Sequence, residues 1–142
     1  MELTTFSMVL RFTLQLEDRT AQFYRNLAAD SKLTQAKELF ARFVENSDKR
    51  KKELERTARE SVDHSLLEPV SGIFEETYGY IPDSSGTAVA DAVTSAKKLE
   101  EGMQKFYTEA GDKIKFVSNV SRLYRRYAQD RAKALVALQA LA

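Results

Sequence analysis

Nine residues near the amino end of this chain return, with their chemistry kept, in its second half. Leu16-Glu17-Asp18 leads after four residues to Phe23-Tyr24, and Leu99-Glu100-Glu101 leads after four residues to Phe106-Tyr107. Glu17 and Glu100 stand 83 residues apart, and so do Tyr24 and Tyr107. A helical repeat at that distance predicts two helix pairs related by duplication. Each copy then carries one inward glutamate at the level of the other's. Two such carboxylates in the middle of a four-helix bundle are the starting material of a di-metal centre.

The apolar spacing supports helices of the required length. Phe6, Leu10, Thr13, Glu17, Ala21, Tyr24 and Ala28 fall on one stripe, predicting a first helix over about 5–29. Thr4 or Thr5 is suited to cap it. A second helix is expected over about 34–62, with Thr34 as its cap and Leu39, Phe40, Phe43, Val44, Ser47, Leu54 and Ala58 sharing a face. A third, over about 87–110, carries Asp91 in its first turn, where the helix dipole favours an anion. Gly111 suits the left-handed residue that ends a helix, and a fourth helix follows over about 113–140. Its stripe is Val117, Val120, Tyr124, Tyr127, Ala128, Arg131, Leu135 and Leu138.

Connection lengths set the topology. The short turns make helices one and two, and three and four, antiparallel hairpins. Between the hairpins lie roughly residues 63–86, with both prolines. A helix of about 25 residues is ~38 Å long, and a segment of this size can carry the chain back along it. The expected fold class is therefore all-α: a four-helix bundle of two hairpins joined by a long crossover, spanning 1–142 as one domain. The crossover is itself apolar, from Leu66 and Leu67 through Val70, Ile73 and Phe74 to Tyr78, Tyr80 and Ile81. It is expected to pack on the bundle, with a short helix around Ile73 to Tyr78. Its aromatic residues could equally line a binding groove.

Composition removes several functions. The chain has no Cys, which excludes thiolate metal sites, iron–sulfur clusters and thiol catalysis. A formal charge of +1 provides no global field toward nucleic acid or anionic lipid. No apolar run reaches the ~18–20 residues needed to span a membrane. Met1-Glu2-Leu3-Thr4-Thr5 lacks a secretory pattern, so a cytoplasmic location is expected. The Lys49-Arg50-Lys51-Lys52 run is interleaved with Glu45, Asp48, Glu53 and Glu55, the pattern of a solvated, internally paired surface. Arg122, Arg125 and Arg126 are less balanced and are the one place where an acidic partner is conceivable.

With helix order, crossover and the Glu-x6-Tyr motif in hand, the chain resembles the rubrerythrin branch of the ferritin-like superfamily. The resemblance covers nearly the whole chain. It implies a diiron oxidase or peroxidase, with a Glu-x-x-His pair on each of helices two and four. Those pairs are missing. Laid on helix two, the family pattern meets Ser47 and Arg50; laid on helix four, it meets Arg131 and Ala134, with a one-residue drift in spacing. Glu45 and Asp48 lie off the inner arc of helix two, and the only histidine, His64, falls in the crossover.

Two iron ions need about four carboxylates and imidazoles besides. The chain offers Glu17 and Glu100 with Arg131 and Arg50 near them, and Tyr24 and Tyr107 within reach. The expectation is a degenerate diiron site in which Arg131 contacts Glu17, Glu100 or both, lined by Tyr24, Ser47, Arg50, Tyr107 and Ala134. No cofactor is then expected. Iron enters only under the rival reading, an oxidase or peroxidase with an atypical ligand set and an external electron donor. Val9, Phe12, Leu16 and Phe23 form a second apolar stripe on helix one. A helix apolar on two sides is buried on two sides. A homodimer through this face is the preferred explanation and cover by the crossover the other.

Overall fold

Thr5 begins the first long helix by chemistry local to it. Its extended backbone turns into the helix, and its hydroxyl accepts the Met8 amide at 3.2 Å, satisfying one of the donors a helix start leaves open. In the computed structural model, which describes residues 1–30, 33–61, 67–79 and 88–141, this helix is α1, Phe6–Ala29. It is followed by α2 (Lys37–Ser61), a one-turn α3 (Glu75–Tyr78), α4 (Val89–Lys113) and α5 (Ser118–Gln139). The described chain is all-helical, apart from two isolated bridges.

Several helix boundaries differ from the pattern reading, among them the start of the last helix, at Ser118 rather than about 113. Thr34 does not cap α2. It lies exposed in a turn where the Leu33 amide donates to Asp30 and the Ala36 amide to Leu33, and the helix starts at Lys37. Gly111 does not end α4, which continues to Lys113; the only positive φ in a described residue belongs to Gly72. Gly111 is instead a contact point. A Cβ placed there would stand 3.2 Å from the Tyr124 Cβ, so the missing side chain allows α5 to approach α4 closely. The Ser121 hydroxyl donates to the Gly111 carbonyl at 2.8 Å at the same crossing.

Cross-helix contacts give the directions. On α1 and α2, Glu17 meets Arg50 and Arg25 meets Asp48, so these helices are antiparallel. On α4 and α5, Glu100 meets Arg131 while Tyr107 meets Tyr124, again antiparallel. On α1 and α4, Glu17 meets Tyr107 and Tyr24 meets Glu100, a third antiparallel pair. Consequently α2 and α4 run the same way, and the chain between them has to return along the bundle. Part of that return is visible. Residues 69–74 pair antiparallel with the amino terminus through the bridges Glu2–Phe74 and Thr5–Pro69. Leu3 donates to the Ile73 carbonyl at 2.8 Å and Val70 to the Thr4 carbonyl at 3.0 Å.

This segment accounts for the second apolar stripe of α1. Val9, Phe12, Leu16 and Phe23 are at most 3% exposed within a single chain. They belong to one core with Val70, Ile73 and Tyr78, and the rings of Phe12 and Tyr78 both meet the edge or face of Phe106. Arg19 on α1 donates to the Gly79 carbonyl at 3.1 Å. Within the single chain this face is packed into a core that includes crossover residues and α4. The short helix expected around Ile73 to Tyr78 is α3; Leu66, Tyr80, Ile81 and Pro82 lie outside the described residues.

Tyr24, Phe40 and Phe43 stack or meet edge-on between α1 and α2, while Phe106, Tyr107, Tyr124 and Tyr127 do so between α4 and α5. Each buried ring contributes on the order of 2–3 kcal/mol from area alone. These two aromatic layers pack within the two hairpins, on either side of what lies between them. Among the described residues, no helix is long and apolar enough to cross a membrane.

Candidate functional site: a buried Glu–Arg–Glu centre

The duplicated motif crosses over at the middle of the bundle. The Tyr107 hydroxyl donates to Glu17 Oε2, and the Tyr24 hydroxyl donates to Glu100 Oε1 at 2.9 Å. Each glutamate thus takes the tyrosine of the other copy, as antiparallel α1 and α4 require of residues seven apart on both. Glu17 is 0% exposed and Glu100 1%. Two carboxylates at this depth can remain ionised only beside positive charge.

That charge comes from α5 and α2. Arg131 is 1% exposed and its guanidinium lies between the two carboxylates. Nη1 donates to Glu100 Oε1 at 2.8 Å and Oε2 at 2.9 Å; Nη2 donates to both oxygens of Glu17 at 2.8 Å. Arg50 adds a second cation, its Nε donating to Glu17 Oε2 at 3.0 Å and its Nη2 to the Ser47 hydroxyl at 3.2 Å. All four carboxylate oxygens accept from a guanidinium or a phenol. Two negative and two positive groups balance, which makes the burial tolerable.

The ionisation behaviour follows. Burial pushes the Glu17 carboxyl up, but the charges of Arg131 and Arg50, with hydrogen bonds from Tyr107 and Arg50, overcome it and hold Glu17 at about 2. Burial and the adjacent carboxylates raise Tyr24 and Tyr107 well above the usual phenol range, so both stay protonated and act as donors. Burial opposes the charge on Arg131, yet Glu100 and Glu17 outweigh it and hold the guanidinium protonated. Arg131 Nε is buried and has no partner among the described residues.

Residues around the centre divide into those foreseen and those not. Ser47 is fully buried, touching Arg50 and, at 3.3 Å, the Thr20 hydroxyl. Arg50 is 8% exposed and so leaves the solvated Lys49–Lys52 run to face inward. Ala134 is half-buried and lines a groove between α2 and α5, not the centre itself. Glu45 is exposed, and Asp48 pairs with Arg25 at 3.3 Å at the surface. His64 lies outside the described residues.

Sequence patterning missed a latch between α2 and α5. The Tyr127 hydroxyl donates to Glu53 Oε1 at 2.8 Å, and Arg126 pairs with the same carboxylate. Glu53 had looked like one more surface acid. Its spacing of three from Arg50 was the available signal, since that places both on one side of α2. A buried hydrogen bond between Thr13 and Tyr124 was also not foreseen.

Among the described residues, no three His, Asp or Glu side chains converge as metal ligands. Set against protein-family models, curated proteins and solved structures, the chain matches none.

Proposed function

We propose that this chain is a ferritin-like scaffold of the rubrerythrin type in which an arginine has taken the place of the metal, and that it works as a binding or assembly module without redox catalysis. The observation that carries the reading is the Arg131 guanidinium lying between Glu17 and Glu100 with four contacts of 2.8–2.9 Å. The helix directions and returning crossover support the scaffold, and the reciprocal Glu–Tyr pairs support its origin in a duplicated half. The donor set does not suit two iron ions. A divalent cation entering between the carboxylates would meet two guanidiniums and would have to expel the one that satisfies both glutamates, with no imidazole among the described residues to complete its shell.

The rival reading is an oxidase or peroxidase using the same carboxylates, and metal uptake separates the two. After anaerobic loading with ferrous iron or zinc and removal of free metal, the proposal predicts near zero metal per chain and no peroxide turnover. One or two tightly held ions per chain, lost in Glu17→Ala and Glu100→Ala, would install the rival. Arg131→Glu, run alongside, reports whether the arginine alone keeps metal out.

A further inference from the structure

A groove of about 380 Å³ opens between α2 and α5 and reaches the centre from one side. That volume is at the lower end of the range for small-molecule sites. Phe43, Arg50, Glu100 and Arg131, all below 9% exposure, form its floor. The Glu53–Tyr127–Arg126 latch lies at one end, while Leu39, Ala134 and Ala137 give the other end apolar walls with little side-chain bulk.

Its charge is not balanced. At the floor, Arg50 and Arg131 are balanced by Glu17 and Glu100, so the surplus comes from Arg42, Lys49 and Lys133 on the rim. Glu100 is committed to Arg131 and Tyr24, and Glu53 to Arg126 and Tyr127. On the rim, Arg42, Lys49 and Lys133 are exposed and make no ion pair with any described residue; Asp130 lines the groove beside them, and Glu45 lies one turn from both Arg42 and Lys49 on α2. At the floor, Arg50 spends Nε on Glu17 and Nη2 on Ser47, and Nη1 has no acceptor among the described residues. The whole chain carries only +1, so this surplus is local.

We infer that the groove binds a small amphipathic carboxylate, its head group taken by Arg50 and the Lys49/Lys133 rim and its hydrocarbon tail lying along Leu39, Phe43, Ala134 and Ala137. A carboxylate matches the guanidinium and ammonium donors through charge-assisted hydrogen bonds. The apolar end distinguishes such a ligand from a bare inorganic anion, which would leave those walls wet. The inference deepens the proposed binding role and rests on it, since the floor keeps its shape only while Arg131 bridges the two glutamates.

Octanoate is the probe, titrated calorimetrically into the metal-free full chain, with octan-1-ol and inorganic phosphate as controls. Saturable octanoate binding is expected, with both controls at least about tenfold weaker. The exposed-site variant Lys49→Gln/Lys133→Gln should weaken octanoate about tenfold, and Ala134→Leu should weaken it by narrowing the tail site. Absence of octanoate binding at millimolar concentration overturns the inference, as does binding unchanged in both variants. Phosphate binding as tightly as octanoate overturns the amphipathic assignment. Metal content is a separate readout: iron uptake overturns the proposed centre, whereas octanoate failing to bind a metal-free chain overturns only the groove.

Discussion

Replacing Arg131 by methionine keeps most of the side chain's volume and removes only its charge and donors. The consequence can be worked from the contacts. Glu17 retains Arg50 and the Tyr107 hydroxyl, but Glu100 retains only the Tyr24 hydroxyl. Breaking a buried ion pair from one side costs about 3–5 kcal/mol, because the remaining charge is left buried without compensation. Against a total of about 5–15 kcal/mol for a folded domain, that is a large fraction. At an m-value of about 2 kcal/mol/M, the urea midpoint should fall by about 2 M. The pH dependence gives a second reading. Deprived of its cation, the pair of carboxylates is accommodated best by taking up a proton that the unfolded chain has released. The variant should therefore lose stability as pH rises above about 4.5, the ordinary glutamate value. Adding Glu100→Gln to Arg131→Met should recover part of the loss and flatten the pH profile. A midpoint shift worth less than about 1 kcal/mol would instead mark Arg131 as one side of a solvated pair and contradict its burial between two ionised carboxylates.

Further outcomes follow from the same contacts. The wild type should lose about 3 kcal/mol of stability as pH falls from 4.5 toward 2, because Glu17 is held at about 2 when folded and takes up its proton first when unfolded; acid titration of the unfolding free energy checks this, and a flat profile there contradicts it. Tyr24→Phe should cost more than Tyr107→Phe, both within about 1–3 kcal/mol, because Glu100 has fewer other donors than Glu17; equal or reversed losses in urea melts would argue otherwise. A Cβ at Gly102, inside α4, meets nothing within 4 Å, so Gly102→Ala should stabilise by about 0.5–1 kcal/mol. Gly111→Val, which would press on Tyr124, should cost about 1–3 kcal/mol, and thermal melts of the two variants should move in opposite directions.

The long helices were legible because their apolar stripes are read from one chain at a time. Glu17, Glu100 and Arg131 were legible for the same reason: each interrupts an inward stripe, and a charged group on such a stripe has few places to go. What escaped depends on two segments meeting. Gly111 carries the signature of a helix end, and only the approach of Tyr124 from α5 shows why a glycine stands inside α4. Cover by the crossover was one of the two explanations open for Val9, Phe12, Leu16 and Phe23, but the backbone hydrogen bonds between residues 1–6 and 68–75 that seat the segment leave no mark in side-chain pattern. The α2–α5 groove lies between helices of different hairpins, beside the Glu53 latch, and no local spacing encodes how such helices meet.

In the proposed reading, a guanidinium occupies the space between the two carboxylates that a metal would otherwise take. Anomalous diffraction at the iron edge, from crystals soaked anaerobically in ferrous iron, tests it most directly. No anomalous peak is expected between Glu17 and Glu100, with Arg131 density bridging both. A peak there, with Arg131 swung away, would contradict it.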